Sequence, residues 1–407
     1  MTAPQQLAGP VAALVASRDG VDCTLGRPDL GIYVAVPEPG VVFVETLQSG
    51  GSTAEAAARA GAVAGAPVDG ADFLAGLTAV GLLDPVVADQ RAAAGSGGGP
   101  KLRWIEGVSP QVARRLFGRA GWTVYAMAAS FCAVALLVID ELRPTYEDGW
   151  FLGDPVISLL ILTPIIVVLA GLHEAWHWLA GRAVGVPAAF RISHRGPFLV
   201  FETDLTQIVA LPRRDRYGPF LAGTALDCTV LATALGLRLL DQQALLDLSP
   251  TLYRLLGAVV LLQVTGIVFQ AAVFLRGDGY AVLANALRCH NLYRASWLTL
   301  RARLLRVSEA DRAELAAISA HDRKVASWFC ACYLVGMLGV AWFMLTFVVP
   351  YLISMTGWLW ANLASGSPSS AVFWESLAVA VFVLLTVVGP PLLGWRERRL
   401  RRRGVLM

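Results

Sequence analysis

Residues 156–180 read VISLLILTPIIVVLAGLHEAWHWLA, an apolar run that ends in the pattern His-Glu-x-x-His. At about 1.5 Å per residue, a helix of this length crosses the hydrocarbon core of a bilayer. His173 and His177 are four residues apart, so they share one helix face and can hold one metal ion together. Glu174 follows the first histidine, and its carboxylate can reach a water molecule on that metal. Such groups are costly at membrane depth, which indicates a functional site.

The composition is that of a membrane protein with room for one soluble domain. Of 407 residues, 56% are hydrophobic and only 15% are charged, and the mean hydropathy is +0.59. The net charge of +3 conceals an asymmetry, because residues 1–90 contain three basic and ten acidic residues, a net charge of −7. Residues 1–30 lack an apolar core behind a basic start, so no signal peptide is predicted.

The sequence predicts a mainly α-helical, polytopic membrane protein with a small α+β winged-helix domain at its N-terminus. Four segments are expected. They are a winged-helix domain (1–91), a flexible linker (92–100), a membrane core with four spans (101–300), and a final part with a cytoplasmic helix, two spans and a basic tail (301–407). The six predicted spans are residues 121–139, 156–180, 218–240, 252–275, 327–349 and 372–394.

The charges of the loops predict the orientation in the membrane. Residues 140–155 contain five acidic residues and one arginine, and residues 362–372 are uncharged. The segments on the other side are rich in arginine: 101–119, 182–216, 276–324 and 396–403. Because positive loops stay in the cytoplasm, we expect a multi-pass protein of the cell membrane with both termini cytoplasmic. The histidine motif then lies at the cytoplasmic end of the second span.

The N-terminal domain shows strand and helix patterns. Residues 31–44 predict two β-rich runs around a Pro-Glu-Pro-Gly turn. Helices are expected from Ser52 and Thr53 to about Ala64, and from Asp69 to Val80. Strands followed by short helices favour a winged-helix domain.

The second half of this domain resembles the PqqD-like recognition domains of ribosomal-peptide maturation systems. The matching residues are Val44 to Gly50, Thr53 to Ala56, Asp72 to Leu74 and Gly81 to Leu83. The resemblance implies that the domain binds a leader peptide by adding it to its sheet as a strand. DNA binding is disfavoured, because residues 52–90 offer only Arg59 as a cation for phosphate contacts. A structural cap without a ligand stays open.

A third metal ligand is needed, because a catalytic zinc usually has three protein ligands and an open position for water. The fourth span ends in Arg276-Gly277-Asp278-Gly279-Tyr280 and runs in the same direction as the second. Asp278 therefore arrives at the membrane depth of His177. The flanking glycines allow a close backbone approach and a break in the helix. Asp278 is the predicted third ligand; the alternative is a solvated aspartate in a turn.

A His-Glu-x-x-His motif on one membrane helix and Asp-Gly on a later one resembles the site-2 protease family of intramembrane zinc metalloproteases. The flanking sequence is similar to its peptide zinc metalloprotease branch, and the likeness covers about residues 156–300. The resemblance implies that His173, His177 and Asp278 bind zinc and that Glu174 is the general base. The similar stretches are Phe201 to Asp204, Leu211 to Tyr217, Ala222-Gly223, Phe274 to Tyr280 and Asn291-Leu292.

This resemblance implies a metalloendopeptidase that hydrolyses a peptide bond at the cytoplasmic face of the membrane. Its substrate would be a ribosomally made peptide or a membrane-anchored protein, with an ABC transporter or peptide-modifying enzymes as further partners. The alternative is a non-proteolytic, zinc-binding component of a peptide export or immunity system. The chain departs from the family at Trp176 and Trp178, where small residues are usual, and it lacks the Asn-x-x-Pro element before the aspartate.

Further polar residues lie near the predicted site. Residues 186–210 predict a short hairpin close to the membrane, which in this family can offer an edge strand to an extended substrate. Asp204 is either an orienting partner for a ligand histidine or a turn residue. Asp227, a buried carboxylate of the third span, has a weaker claim. His290 and His321 are expected to be ordinary surface histidines.

Overall fold

Helices dominate the chain, and the described β-structure consists of two small antiparallel sheets. The computed structural model describes residues 9–19, 22–27, 32–83, 108–186, 189–195, 198–204, 206–271, 276–305, 307–381 and 384. The predicted linker at 92–100 and the basic segment at 396–403 lie outside these ranges. So does the boundary predicted at residue 91.

The N-terminal domain packs three helices against a three-stranded sheet of order β1-β2-β3. Its core joins strand residues such as Leu25 to helix residues Val41 and Val44 and to Leu82. The elements are β1 (Val15–Asp19), β2 (Asp22–Arg27), β3 (Ile32–Val36), α1 (Glu38–Gln48), α2 (Thr53–Ala64) and α3 (Gly70–Ala79).

Both helices predicted in this domain are confirmed. Helix α2 begins at a capping box, in which the Ser52 hydroxyl accepts from the Glu55 N–H and the Glu55 carboxylate accepts from the Ser52 N–H. Helix α3 begins after Asp69, whose carboxylate accepts from two backbone N–H groups of the first turn.

The second predicted β-rich run is wrong, because residues 41–44 lie in helix α1. Proline in the first turn and Glu38 at the helix start both favour a helix N-terminus. The apolar residues of this run serve equally well on a helix face, and Val41 and Val44 are buried against the sheet. Periodicity cannot separate the two structures over so short a run.

Within the described residues, five helices are long and apolar enough to cross a membrane. The first four agree with predicted spans, although residues 272–275 of the fourth span lie outside the described part. A short helix, α4 (Pro110–Leu116), precedes them. The four are α5 (Arg119–Val138), α6 (Pro155–Ala183), α7 (Arg213–Gln242) and α8 (Pro250–Ala271).

Three shorter helices connect α8 to the fifth long helix: α9 (Asp278–Ala286), α10 (Leu292–Leu304) and α11 (Glu309–Ala317). Helix α10 packs along the beginning of that long helix, and Leu292, Leu300 and Phe329 form the core between them. This packing fixes the position of the loop between α9 and α10.

The helix that contains the fifth predicted span continues beyond residue 349. Helix α12 (Ala320–Phe343) continues through a π-helical segment (Met344–Val348) into α13 (Val349–Ser365). Together these segments form a helix of 45 residues (Ala320–Ala364), a helical length of about 68 Å, roughly twice the hydrocarbon core. Beyond residue 349, Tyr351 packs on Trp150 of the loop before α6, with ring centroids 4.9 Å apart.

The sixth predicted span is described only in its first half. Residues Ala371–Val381 form a shorter apolar helix, α14, and Val379 packs with Val156 and Met355. Except for residue 384, the remainder of the predicted span lies outside the described residues.

Helix α7 is central to the membrane part, since it contacts α5, α6, α8 and α9. The predicted hairpin is confirmed as β4 (Ala189–Arg195) paired with β5 (Phe198–Asp204), and it lies along α6. A 3₁₀ segment (Thr206–Ala210) follows the hairpin and contacts β1 and β2 of the N-terminal domain. The hairpin therefore connects that domain with the helix that carries the histidine motif.

Candidate metal centre

His173 and His177 lie on the face of α6 that packs against α7. They are 7% and 4% exposed, and their ring centroids are 4.9 Å apart. Their Nε2 atoms approach to 3.1 Å. The spacing of four residues therefore has the predicted effect, because both rings present the same nitrogen to one point.

Asp278, the first residue of α9, completes the group. Its Oδ2 atom lies 3.1 Å from Nε2 of His173 and 2.9 Å from Nε2 of His177. The three atoms thus form a nearly equilateral triangle. Tetrahedral zinc, with bonds of about 2.0–2.1 Å to nitrogen and oxygen, places its ligand atoms about 3.3 Å apart. The triangle fits that geometry within a few tenths of an ångström. These three residues are called the metal centre below.

The two imidazoles also favour an ionised partner. Burial opposes the charged form of Asp278, but the adjacent rings of His177 and His173 outweigh burial and hold its pKa well below the usual range. A carboxylate is the form that ligates a metal.

The other nitrogen of each ring is held by α7. Nδ1 of His173 lies 2.8 Å from Oδ2 of Asp227, and Nδ1 of His177 lies 2.7 Å from the carbonyl oxygen of Pro219. Each Nδ1–H can donate to its oxygen, which leaves the Nε2 lone pair directed at the triangle. Metal-binding histidines commonly have such a partner, which fixes the tautomer and the ring orientation.

Asp227 is therefore the orienting carboxylate, a residue to which the sequence gave only a weak claim. It is 6% exposed. The side chain of Asp204, the other candidate for this role, lies outside the described part of the structure.

Gly223 leaves space beside the imidazoles. A Cβ atom there would lie 2.3 Å from Nε2 of His173 and 2.5 Å from Nε2 of His177. Pro219, Gly223 and Asp227 are spaced by four, so one face of α7 presents a carbonyl, a gap and a carboxylate to the two rings. This spacing is the signal in the sequence that could have identified Asp227.

Gln270 of α8 is a site residue that the sequence analysis missed. Its Oε1 accepts from the backbone N–H of Asp278 at 3.1 Å, and its Nε2 lies 3.5 Å from Nε2 of His173. A Cβ on Gly277 would approach Oε1 to 2.6 Å, so the glycine before the aspartate permits this contact. A polar amide in an apolar span was the available signal.

The backbone turns sharply before Asp278. Arg276 has a φ of +58°, in the left-handed region, whereas Gly277 has an ordinary φ of −74°. The close approach of Gln270 to Gly277 confirms the role expected of this glycine. The sharp turn of the backbone, however, lies one residue earlier, at Arg276.

Glu174 lies beside the two histidines, and its carboxylate is within 4.8 Å of their ligand nitrogens. Its backbone carbonyl accepts a hydrogen bond from the Thr203 hydroxyl of β5 at 3.0 Å. The hairpin is thereby attached to α6 next to the predicted general base.

Together, the three predicted ligands converge on one point. Glu174 lies beside them, both rings have hydrogen-bond partners on α7, and Gly223 leaves space in front of them.

Comparisons with protein families, with curated proteins and with solved structures found no match.

Proposed function

We propose that this chain is a membrane-embedded zinc metallopeptidase that hydrolyses a peptide bond at the cytoplasmic face of the membrane. The observation that carries the proposal is the triangle of His173, His177 and Asp278 at a tetrahedral zinc spacing. The orienting partners of both rings add support, because they favour the tautomers that direct both Nε2 lone pairs into the triangle.

A zinc ion held by this triangle supplies a Lewis acid and lowers the pKa of a bound water molecule. Glu174 is the proposed general base. It takes a proton from the water that attacks the peptide carbonyl, and it passes that proton to the amine that leaves when the C–N bond breaks. Its carboxylate is within reach of this position and is not needed as a ligand.

The hairpin is the proposed binding place of the scissile segment. A peptide must be extended to be cleaved, and β4 and β5 form a two-stranded sheet whose edge can accept a further strand. Thr203 connects β5 to the carbonyl of Glu174, so a peptide on this sheet would pass close to the general base.

The N-terminal domain is proposed to deliver a ribosomally made peptide or a membrane-anchored protein. Its strands β1 and β2 contact the segment that follows the hairpin. The net charge of −7 for residues 1–90 favours a peptide over nucleic acid as its ligand.

Substitution Glu174→Gln tests the reaction, because the amide retains the shape but cannot accept the proton. Membranes from cells that express the wild type should contain new peptide N-termini, detected by mass spectrometry, that are absent with the variant. Zinc content should stay the same in both proteins. Glu147→Gln, at an exposed glutamate of the loop before α6, is the matched control and should cleave like the wild type.

Identical N-termini from wild type and Glu174→Gln would contradict proteolysis. They would favour the non-proteolytic reading, in which the chain is a zinc-binding part of a peptide export or immunity system.

The proposed orientation has both termini in the cytoplasm, and its basis is the charge bias of the loops. A reporter fused after residue 403 should therefore be cytoplasmic, and a reporter inserted within residues 140–155 should be outside. A tail found outside would mean that the number of spans is odd.

A further inference from the structure

A second group of metal-ligand side chains lies at the other end of α9 from Asp278. It contains Cys289, His321 and Asp322, and one ligand atom of each lies within 4.8 Å of the others. These three residues are called the Cys289 cluster. Cys289 follows α9, whereas the other two residues belong to the first turn of α12.

Asp322 is the unusual member of this cluster. It is 2% exposed, and its Oδ2 accepts from the backbone N–H of Asn291 at 2.7 Å. Its Oδ1 is buried, and no N–H or O–H group among the described residues donates to it, although the Cys289 thiol interacts with this carboxylate. A buried carboxylate oxygen whose neighbouring donor is a thiol, a weak donor, is costly, and such an atom calls for an explanation such as a bound ion.

The other two side chains converge on the same place. Nε2 of His321 lies 2.9 Å from the carbonyl oxygen of Leu287, and Sγ of Cys289 lies 3.5 Å from that same oxygen. Cys289 is buried, and His321 is exposed, so its ring can rotate. Thiolate, imidazole and carboxylate are the three ligand types that zinc takes in proteins.

We propose that Cys289, His321 and Asp322 form a second site for a zinc-class divalent cation, separate from the metal centre on α6. Ligand atoms around such an ion lie about 3.3–3.6 Å apart, and those of the cluster lie within 4.8 Å of one another, so the movement needed is at most about 1.5 Å. Rotation of the exposed His321 ring supplies that movement. The bound ion satisfies Oδ1 of Asp322 and ties the end of α9, whose first residue is Asp278, to the long helix α12.

Cobalt(II) distinguishes the two sites, because only the Cys289 cluster offers sulfur. The purified full-length protein in detergent is stripped with a chelator and titrated with cobalt. We expect about two ions per chain and a thiolate-to-cobalt charge-transfer absorption in the near ultraviolet. Cys289→Ser should abolish this absorption and remove one ion.

Two further variants separate the sites. His173→Ala should also remove one ion but should leave the charge-transfer absorption intact. His321→Ala changes an exposed side chain, so the protein should fold normally and lose the absorption at cobalt concentrations that saturate the wild type. His290→Ala, at an exposed histidine next to Cys289 and outside the cluster, is the matched control and should change neither signal.

The proposal is overturned if the wild type lacks the absorption, if the absorption survives Cys289→Ser, or if His321→Ala binds cobalt like the wild type. None of these outcomes bears on the metal centre. A wild type that binds no ion dependent on His173 would contradict the proposed function and leave the second site untouched.

Discussion

The metal centre and the Cys289 cluster lie at opposite ends of α9, and they differ in how firmly their imidazoles are held. His173 and His177 are buried, and each Nδ1 has an oxygen partner on α7. His321 is exposed, and its hydrogen-bond partner among the described residues is the backbone carbonyl of Leu287. A preorganised triangle suits catalysis, in which ligand geometry must persist through turnover, whereas a cluster that contracts around an ion suits a structural role.

The largest effect should come from filling the gap at Gly223. Gly223→Ala places a methyl group 2.3–2.5 Å from both Nε2 atoms, where a bound ion must lie. We expect the metal centre to bind at least about a hundredfold more weakly, beyond the usual loss for an orienting residue. Zinc content and cobalt titration measure this effect, and the thiolate absorption of the Cys289 cluster should be unchanged.

Gly236→Ala is the control on the same helix, because no atom lies within 4 Å of a Cβ there. Equal metal content in Gly223→Ala and Gly236→Ala would mean that the ion does not occupy the space in front of the triangle.

Asp227→Ala should have the next largest effect. The substitution leaves all three ligands in place but removes the carboxylate that orients His173. Metal affinity should fall by about 10–100-fold, as measured by competition with a chelator. Asp215→Ala, at the exposed start of α7, should bind like the wild type. If Asp227→Ala binds metal with unchanged affinity, the two sites do not differ in how firmly their imidazoles are preorganised.

Gln270→Leu should weaken the metal centre less. It removes one hydrogen bond to the backbone of Asp278, which is worth about 1 kcal/mol or roughly fivefold in affinity. Gln263→Leu on the same helix is the control, since its buried Nε2 has no hydrogen-bond partner among the described residues. If both variants bind metal equally, the position of Asp278 is fixed by packing instead.

Thr203→Val should have the smallest effect and should leave the metal in place. The valine loses the hydrogen bond to the carbonyl of Glu174, so the hairpin is less firmly attached beside the general base. Turnover should fall about two- to threefold, with zinc content unchanged. Thr233→Val removes a similar bond within α7 and serves as the control. A loss of zinc in Thr203→Val would mean that the hairpin supports the ligands.

The convergence of the three proposed ligands was predictable because their signals are local or depend on chain direction. The spacing of His173 and His177 defines a helix face. The lengths of the apolar spans and the charges of the loops between them place Asp278 at the same membrane depth as these histidines. Gln270 and Asp227 were harder to identify. A polar residue in an apolar helix indicates a functional role, but it does not reveal which residue it contacts. That contact depends on how the packed helices are rotated relative to each other.

The Cys289 cluster shows the same limit more strongly. His321 is exposed, as the sequence predicts for it, and its sequence neighbours carry no metal pattern. The two helices α10 and α11 separate Cys289 from Asp322 along the chain, and the packing of α10 on α12 brings the two residues together.

By itself, the sequence determined the helical membrane architecture, the helix starts at Ser52 and Asp69, and the residues that form the metal centre. Capping, apolar length and helical spacing act within one segment, so they are visible in a linear chain. Only the tertiary structure decided that residues 41–44 are helical, that the fifth long helix continues past residue 349, and that Asp227 orients His173. Each of these outcomes depends on contacts between distant segments, and such contacts override local preference wherever they bury more surface or satisfy a buried polar group.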